Sequence, residues 1–190
     1  DCCDNSISGV FLNCKQLRSV SLVNVVDIGD NFFGSCDNLE SVKILDSDHN
    51  KINKIGNGSF GECLSLKEFS FSDGESVFPK VKEFGFNSFF NCQSLSGDID
   101  LSNAKSLAKY SFWCCYKANF VNLCEDIRYK DDIGFTTKER VFSEKSRVDF
   151  KNGSDLNVQF KAEQPLDEYF SEKNIDKSAY FCNNKKNYWR

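Results

Sequence analysis

Apolar residues return along this chain in a fixed phase. Five segments carry phenylalanine at the first position and cysteine at the fourth: Phe11-Leu12-Asn13-Cys14-Lys15-Gln16-Leu17, Phe33-Gly34-Ser35-Cys36-Asp37-Asn38-Leu39, Phe60-Gly61-Glu62-Cys63-Leu64-Ser65-Leu66, Phe89-Phe90-Asn91-Cys92-Gln93-Ser94-Leu95 and Phe112-Trp113-Cys114-Cys115-Tyr116-Lys117-Ala118. Three residues after the seventh position an apolar pair with one residue between begins: Val20 and Leu22, Val42 and Ile44, Phe69 and Phe71, Val121 and Leu123. The fourth copy has Ile99 and Leu101, one residue late, with Gly97 and Asp98 marking the slip. Apolar positions three apart share one face of a tight helical turn, 3₁₀ or short α. The pair that follows alternates with the period of a strand. Each unit is therefore predicted as a helical segment, a short strand and a return loop.

An apolar residue and glycine stand ahead of three of the phenylalanines, as Ile28-Gly29, Ile55-Gly56 and Phe84-Gly85, with Leu107-Ala108 in the fifth copy. The expected role of the glycine is backbone freedom at a sharp entry into the next turn. Successive cysteines lie 22, 27, 29 and 23 residues apart, a leucine-rich-repeat period. Strands joined by crossovers of this length run parallel. One unit cannot bury its own apolar side, so stacked neighbours share a core. The core columns are expected to be Phe11, Phe33, Phe60, Phe89 and Phe112 beside Cys14, Cys36, Cys63, Cys92 and Cys115, and packing is the expected role of them all.

Phe-x-x-Cys-x-x-Leu-x-x-apolar-x-apolar followed by Ile-Gly resembles the BspA-type, or Treponema-pallidum-type, leucine-rich repeat over roughly residues 5–125. The resemblance implies an α/β leucine-rich-repeat solenoid with a parallel β-sheet on the concave face and short helical or 3₁₀ segments opposite. It also implies a secreted or cell-surface protein with an adhesive or recognition role. Residues 1–125 are read as a solenoid of about five repeats. Residues 126–190 are read as a C-terminal cap or a small α+β module, with Arg147–Phe150 and Leu156–Phe160 as a β-hairpin. A competing reading makes Phe142-Ser143-Glu144-Lys145-Ser146-Arg147-Val148 a degenerate repeat without its cysteine.

Composition narrows the function. Hydrophobic residues at 40% and charged residues at 27% match a globular protein. A net charge of −4, from 24 basic and 28 acidic side chains, argues against nucleic acid as the main partner. No apolar run reaches membrane-spanning length. The start at Asp1-Cys2-Cys3, in a chain without methionine, reads as a processed form or an excerpt.

Ten cysteines favour an oxidising compartment. The five column cysteines are expected to be buried thiols acting as small hydrophobes. Cys2, Cys3, Cys114, Cys124 and Cys182 remain as disulfide candidates, with Cys114–Cys124 preferred and Cys2 or Cys3 able to staple the first repeat; the alternative is ten reduced cysteines in an intracellular protein. Asn57-Gly58-Ser59 and Asn152-Gly153-Ser154 are glycosylation acceptors at Asn57 and Asn152, or simply turns.

Candidate chemistry is sparse. His49, the single histidine, lies in the hydrophilic insertion Asp46-Ser47-Asp48-His49-Asn50-Lys51. No Gly-rich phosphate loop and no Cys-x-x-Cys pair occurs. The chain is accordingly read as a non-enzyme without cofactor or metal. The alternatives are a secreted enzyme or enzyme inhibitor acting through the C-terminal module, or a structural spacer in a larger assembly. Strand alternation puts Ser19 and Ser21, Ser41 and Lys43, Glu68 and Ser70, Asp98 and Asp100, and Phe120 and Asn122 on the open sheet face. That polar face suits a protein or glycan partner, at a cell surface or in matrix, better than a small apolar ligand.

Overall fold

In a computed structural model, the structure describes residues 8–45, 52–71, 78, 81–123, 127–130, 141–142 and 147–150. All lie in one compact unit. The strands are β1 (Ser19–Val23), β2 (Ser41–Leu45), β3 (Lys54–Ile55), β4 (Glu68–Phe71), β5 (Glu83–Phe84), β6 (Ser96–Asp100), β7 (Ser106–Ala108), β8 (Lys117–Leu123), β9 (Arg128–Lys130) and β10 (Arg147–Phe150). They form three sheets, ordered β1-β2-β4, β10-β8-β6 and β3-β5-β7-β9. Every pairing is parallel, as crossovers of one repeat require.

The expected helical segments are absent among the described residues. The residues two before and two after each column phenylalanine take the left-handed conformation: Gly9 and Asn13, Asn31 and Ser35, Gly58 and Glu62, Asn87 and Asn91, Tyr110 and Cys114. A left-handed residue at every fourth position prevents a helix from propagating. The N–H groups at these positions turn outward to the next coil instead. Phe11 N–H donates to Phe32 O, Phe33 to Ser59 O, Phe60 to Ser88 O and Phe89 to Ser111 O, at 2.7–2.8 Å. The flanking left-handed residues of the first four coils do the same, while the cysteine N–H groups close turns on the phenylalanine carbonyls. Each coil is a pair of turns hydrogen-bonded to its neighbour.

The phenylalanine column forms an aromatic stack. Ring centroids lie 5.2 Å apart for Phe11 and Phe33, 5.3 Å for Phe33 and Phe60, 5.0 Å for Phe60 and Phe89, and 5.3 Å for Phe89 and Phe112, with interplanar angles of 3–17°. Phe142 continues it beyond residue 125, 6.0 Å and 7° from Phe112. There β9 extends the third sheet, β10 extends the second, and Phe112 bridges Phe142. The described residues 127–130, 141–142 and 147–150 thus stand next to the fifth coil. The other half of the expected hairpin, 156–160, lies outside the described residues.

Three local departures have physical causes. First, Gly56 and Gly85 are not in the left-handed region; they are required for close stacking. A Cβ on Gly56 would meet Asp30 Oδ1, and the Asp30 and Gly29 backbone at 2.7–2.8 Å, and one on Gly85 would meet Asn57 and the Gly56 backbone at 2.6–2.7 Å. Second, Phe120 is fully buried rather than on the open face. It is in register with Ile99, and left-handed Asn122 accompanies a register shift in the strand. This bulge lets Phe120 and Leu123 both face inward. Third, the sheet holding β4 ends where the fourth repeat slips, and β6 begins another. Gly97, in the slip, has a φ of 87°.

Candidate functional site

The face of β1, β2 and β4 gathers six of the residues selected by alternation. Register places Ser19, Ser41 and Glu68 in one row and Ser21, Lys43 and Ser70 in the next. Ser19, Ser21, Lys43 and Glu68 are exposed; Ser41 and Ser70 are half-buried. Intervening Val42, Ile44, Phe69 and Phe71 are buried, which holds the polar side chains outward. Beyond them Val23 pairs with Leu45, leaving two aliphatic side chains 61% and 36% exposed. The sequence reading passed over this apolar row because it followed only the serines and charges.

Asp98, Asp100 and Asn122 belong to the second sheet and are mutually engaged. Asn119 Nδ2 donates to Asp98 Oδ1 at 3.1 Å and Asn122 Nδ2 to Asp100 Oδ2 at 3.0 Å. Asp100 Oδ1 also accepts the Ser102 N–H at 2.8 Å. These carboxylates close the end of β6 and are less available to a partner than Glu68.

The column cysteines do more than fill space. Cys36 Sγ donates to Phe11 O at 3.0 Å, Cys63 to Phe33 O at 3.2 Å, Cys92 to Phe60 O at 3.1 Å and Cys115 to Phe89 O at 3.1 Å. Each thiol satisfies a carbonyl of the preceding coil, and all five column cysteines are reduced. Cys114 is also a thiol, approached by the Tyr116 hydroxyl at 3.0 Å, rather than half of the expected bridge to Cys124. Cys2, Cys3, Cys124 and Cys182 lie outside the described residues, as do Asn152 and His49.

Burial pushes the Cys36, Cys63 and Cys92 thiols up. The folded chain therefore holds protons that the unfolded chain releases once pH passes the ordinary thiol range. Stability from this source is complete below pH about 8.5 and declines above it, by about 1 kcal/mol per fully buried thiol up to pH about 9.5. Urea unfolding across that interval should show the decline in the parent and a flatter dependence in a Cys36→Ala, Cys63→Ala, Cys92→Ala variant; equal slopes would contradict the assignment.

Asn57, a glycosylation candidate, is exposed but committed to the stack. Its N–H and Nδ2 donate to Asp30 at 2.7 and 3.1 Å, and its Oδ1 accepts the Phe86 N–H at 2.9 Å. Ser59, the third residue of the tripeptide, is fully buried, its single hydroxyl proton shared between the Gly29 and Gly56 carbonyls, each 2.8 Å from Oγ. Elsewhere charges alternate between coils: Lys15 pairs with Asp37, and Glu40 bridges Arg18 and Lys67 at 3.0 and 3.2 Å. Lys67, followed by Arg18, holds the Glu40 carboxyl below the usual carboxylate range.

Among the described residues, no group of three or more His, Cys, Asp or Glu side chains is placed to hold a metal ion, and no helix is long and apolar enough to cross a membrane. Coils of about one repeat length, a shared phenylalanine and leucine core and parallel strands on successive coils define a leucine-rich-repeat protein. The BspA type leucine rich repeat region matches residues 6–117 and 49–143, in six copies. The chain belongs to this family, in which protein binding without catalysis is the typical activity. A leucine-rich repeat protein from Bacteroides ovatus is 27% identical, with a TM-score of 0.49, over 64% of this chain and 29% of that one. The T. pallidum leucine rich repeat protein is 20% identical, with a TM-score of 0.41, over 89% of this chain and 75% of its own. This chain therefore spans less than a third of the Bacteroides protein's length. A search of curated proteins gave no match.

Proposed function

We propose that the chain is a non-catalytic recognition module, secreted or at a cell surface, that binds a protein or glycan partner through the face of β1, β2 and β4. The observation that carries this reading is the pair of rows Ser19–Ser41–Glu68 and Ser21–Lys43–Ser70 beside exposed Val23 and Leu45. Hydroxyls, one cation, one anion and a small apolar row together match the mixed character of a protein interface. Asp98, Asp100 and Asn122 would extend the polar surface onto the second sheet. Family membership supports the extracellular setting.

The test is capture from cell-surface extract and matrix proteins, followed by binding kinetics with the partner recovered. Lys43→Glu combined with Glu68→Lys should slow association, most visibly at low salt. The melting curve should stay within about 0.5 kcal/mol of the parent, because both side chains are exposed. Unaltered association would contradict the assignment of this face.

A further inference from the structure

One stretch of the third sheet departs from the charge alternation of the first three coils. Between the first three coils, charged neighbours are opposite in sign and paired, as in Lys15 with Asp37 and Arg18–Glu40–Lys67. On the third sheet Lys54 and Glu83 are opposite in sign and in register, but in the residues just before β5 and β7 and at the start of β9 the charges are alike. Lys105 N–H donates to Lys82 O at 2.8 Å and Arg128 N–H to Lys105 O at 3.0 Å, so three cationic residues stand on successive coils. Lys109 N–H donates to Lys130 O at 2.7 Å, adding a second cationic step alongside. Lys82, Lys105, Arg128 and Lys130 are exposed. Lys109 Nζ lies 5.1 Å from the Tyr110 ring centroid. The described acidic groups nearby are exposed Glu83, in register with Lys54 and, through Ser106, in one row with Arg128, and Asp27, whose carboxylate accepts the Lys54 N–H at 3.0 Å. Glu125, Asp126, Asp131 and Asp132 lie outside the described residues.

Lys82 and Lys105, each one residue ahead of the Glu83–Ser106 pair, are like charges on adjacent coils about 4.8 Å apart, which oppose folding. A chain with a net charge of −4 gains no general solubility from segregating its cations there. Local conflict of this kind is characteristic of surfaces kept for binding. We propose that the stripe Lys82, Lys105, Lys109, Arg128 and Lys130 is a binding site for a linear sulfated polysaccharide. The stripe spreads five cations over three successive coils, so it offers an extended row of contacts rather than a pocket for a single anion. Ammonium and guanidinium groups are the side chains that meet sulfate oxygens with charge-assisted hydrogen bonds. An extended polymer with anions repeated along its length engages several coils at once, whereas a small anion meets one or two cations and gains little. The site is separate from the face of β1, β2 and β4 and stands independently of it.

The probe is a fluorescently labelled heparin oligosaccharide, with hyaluronan and a single-stranded DNA as comparators, measured by anisotropy at about 0.05 and 0.3 M salt. The parent is expected to bind heparin at the lower salt and weaken steeply at the higher, and to bind hyaluronan and DNA at least tenfold more weakly. Lys82→Ala with Lys105→Ala should weaken heparin binding tenfold or more while the thermal midpoint stays at or above the parent's. Lys82→Arg with Lys105→Arg should keep the binding, and the Lys43→Glu, Glu68→Lys variant should leave it unchanged. No heparin binding at the lower salt, or binding unaffected by the double alanine change, would overturn the site. DNA bound as tightly as heparin would overturn the ligand class.

Discussion

Phe60→Ala should lower the free energy of unfolding by about 3 to 5 kcal/mol, read from urea midpoints. The ring is fully buried, stacked between Phe33 at 5.3 Å and Phe89 at 5.0 Å, and met edge-on by Phe69 at 5.4 Å. Its neighbours are pinned by coil-to-coil hydrogen bonds at their own N–H groups, so they cannot close the cavity by sliding together. Phe11→Ala should cost less, because that ring is only half-buried. A loss below about 1 kcal/mol for Phe60→Ala would contradict its place at the centre of a packed stack.

The next largest effect is expected at a glycine. Gly56→Ala forces a methyl group against the Asp30 backbone N at 2.7 Å and the Gly29 carbonyl carbon at 2.8 Å, besides Asp30 Oδ1. Backbone atoms of a hydrogen-bonded neighbour cannot swing aside. The coils must part, at about 1 to 3 kcal/mol or more. The fifth coil carries Ala108 at the corresponding place, so the constraint belongs to the middle of the stack. Gly97 offers a contrast: nothing lies within 4 Å of its missing Cβ, but its φ is 87°. Alanine there should cost about 1 to 2 kcal/mol through conformation alone, and asparagine, which tolerates the left-handed region, should recover most of it. At Gly56 asparagine should be at least as damaging as alanine. Equal rescue by asparagine at both positions, in thermal or urea melts, would contradict this division.

The phenylalanine, cysteine and leucine columns were legible because one repeat equals one coil, so identical spacing means identical depth in the core. Strand alternation likewise found Ser19, Ser21, Ser41, Lys43, Glu68 and Ser70. The turns were misread as helical because three-residue spacing is common to a helix and to a pair of stacked turns. The distinguishing signal was the residue type two places either side of phenylalanine, where Gly9, Asn13, Asn31, Gly58, Asn87 and Asn91 tolerate a positive φ. Strands as short as Lys54–Ile55 and Glu83–Phe84 show no alternation, so the third sheet was hidden. The basic stripe upon it was hidden too, since Lys82, Lys105 and Arg128 are seen to fall on successive coils only once the coil-to-coil hydrogen bonds are known. Phe120 was assigned to the wrong face because one left-handed residue, Asn122, reverses the phase within a strand.

The most direct test of the stacked-coil arrangement is nuclear magnetic resonance measurement of couplings across hydrogen bonds in the isotope-labelled chain. Couplings should connect Phe33 N–H with the Ser59 carbonyl, Phe60 with Ser88 and Phe89 with Ser111, each pair one repeat apart. Couplings from those same amides to carbonyls four residues earlier in their own segments would mean helices in place of stacked turns and would contradict the fold and both surfaces built on it.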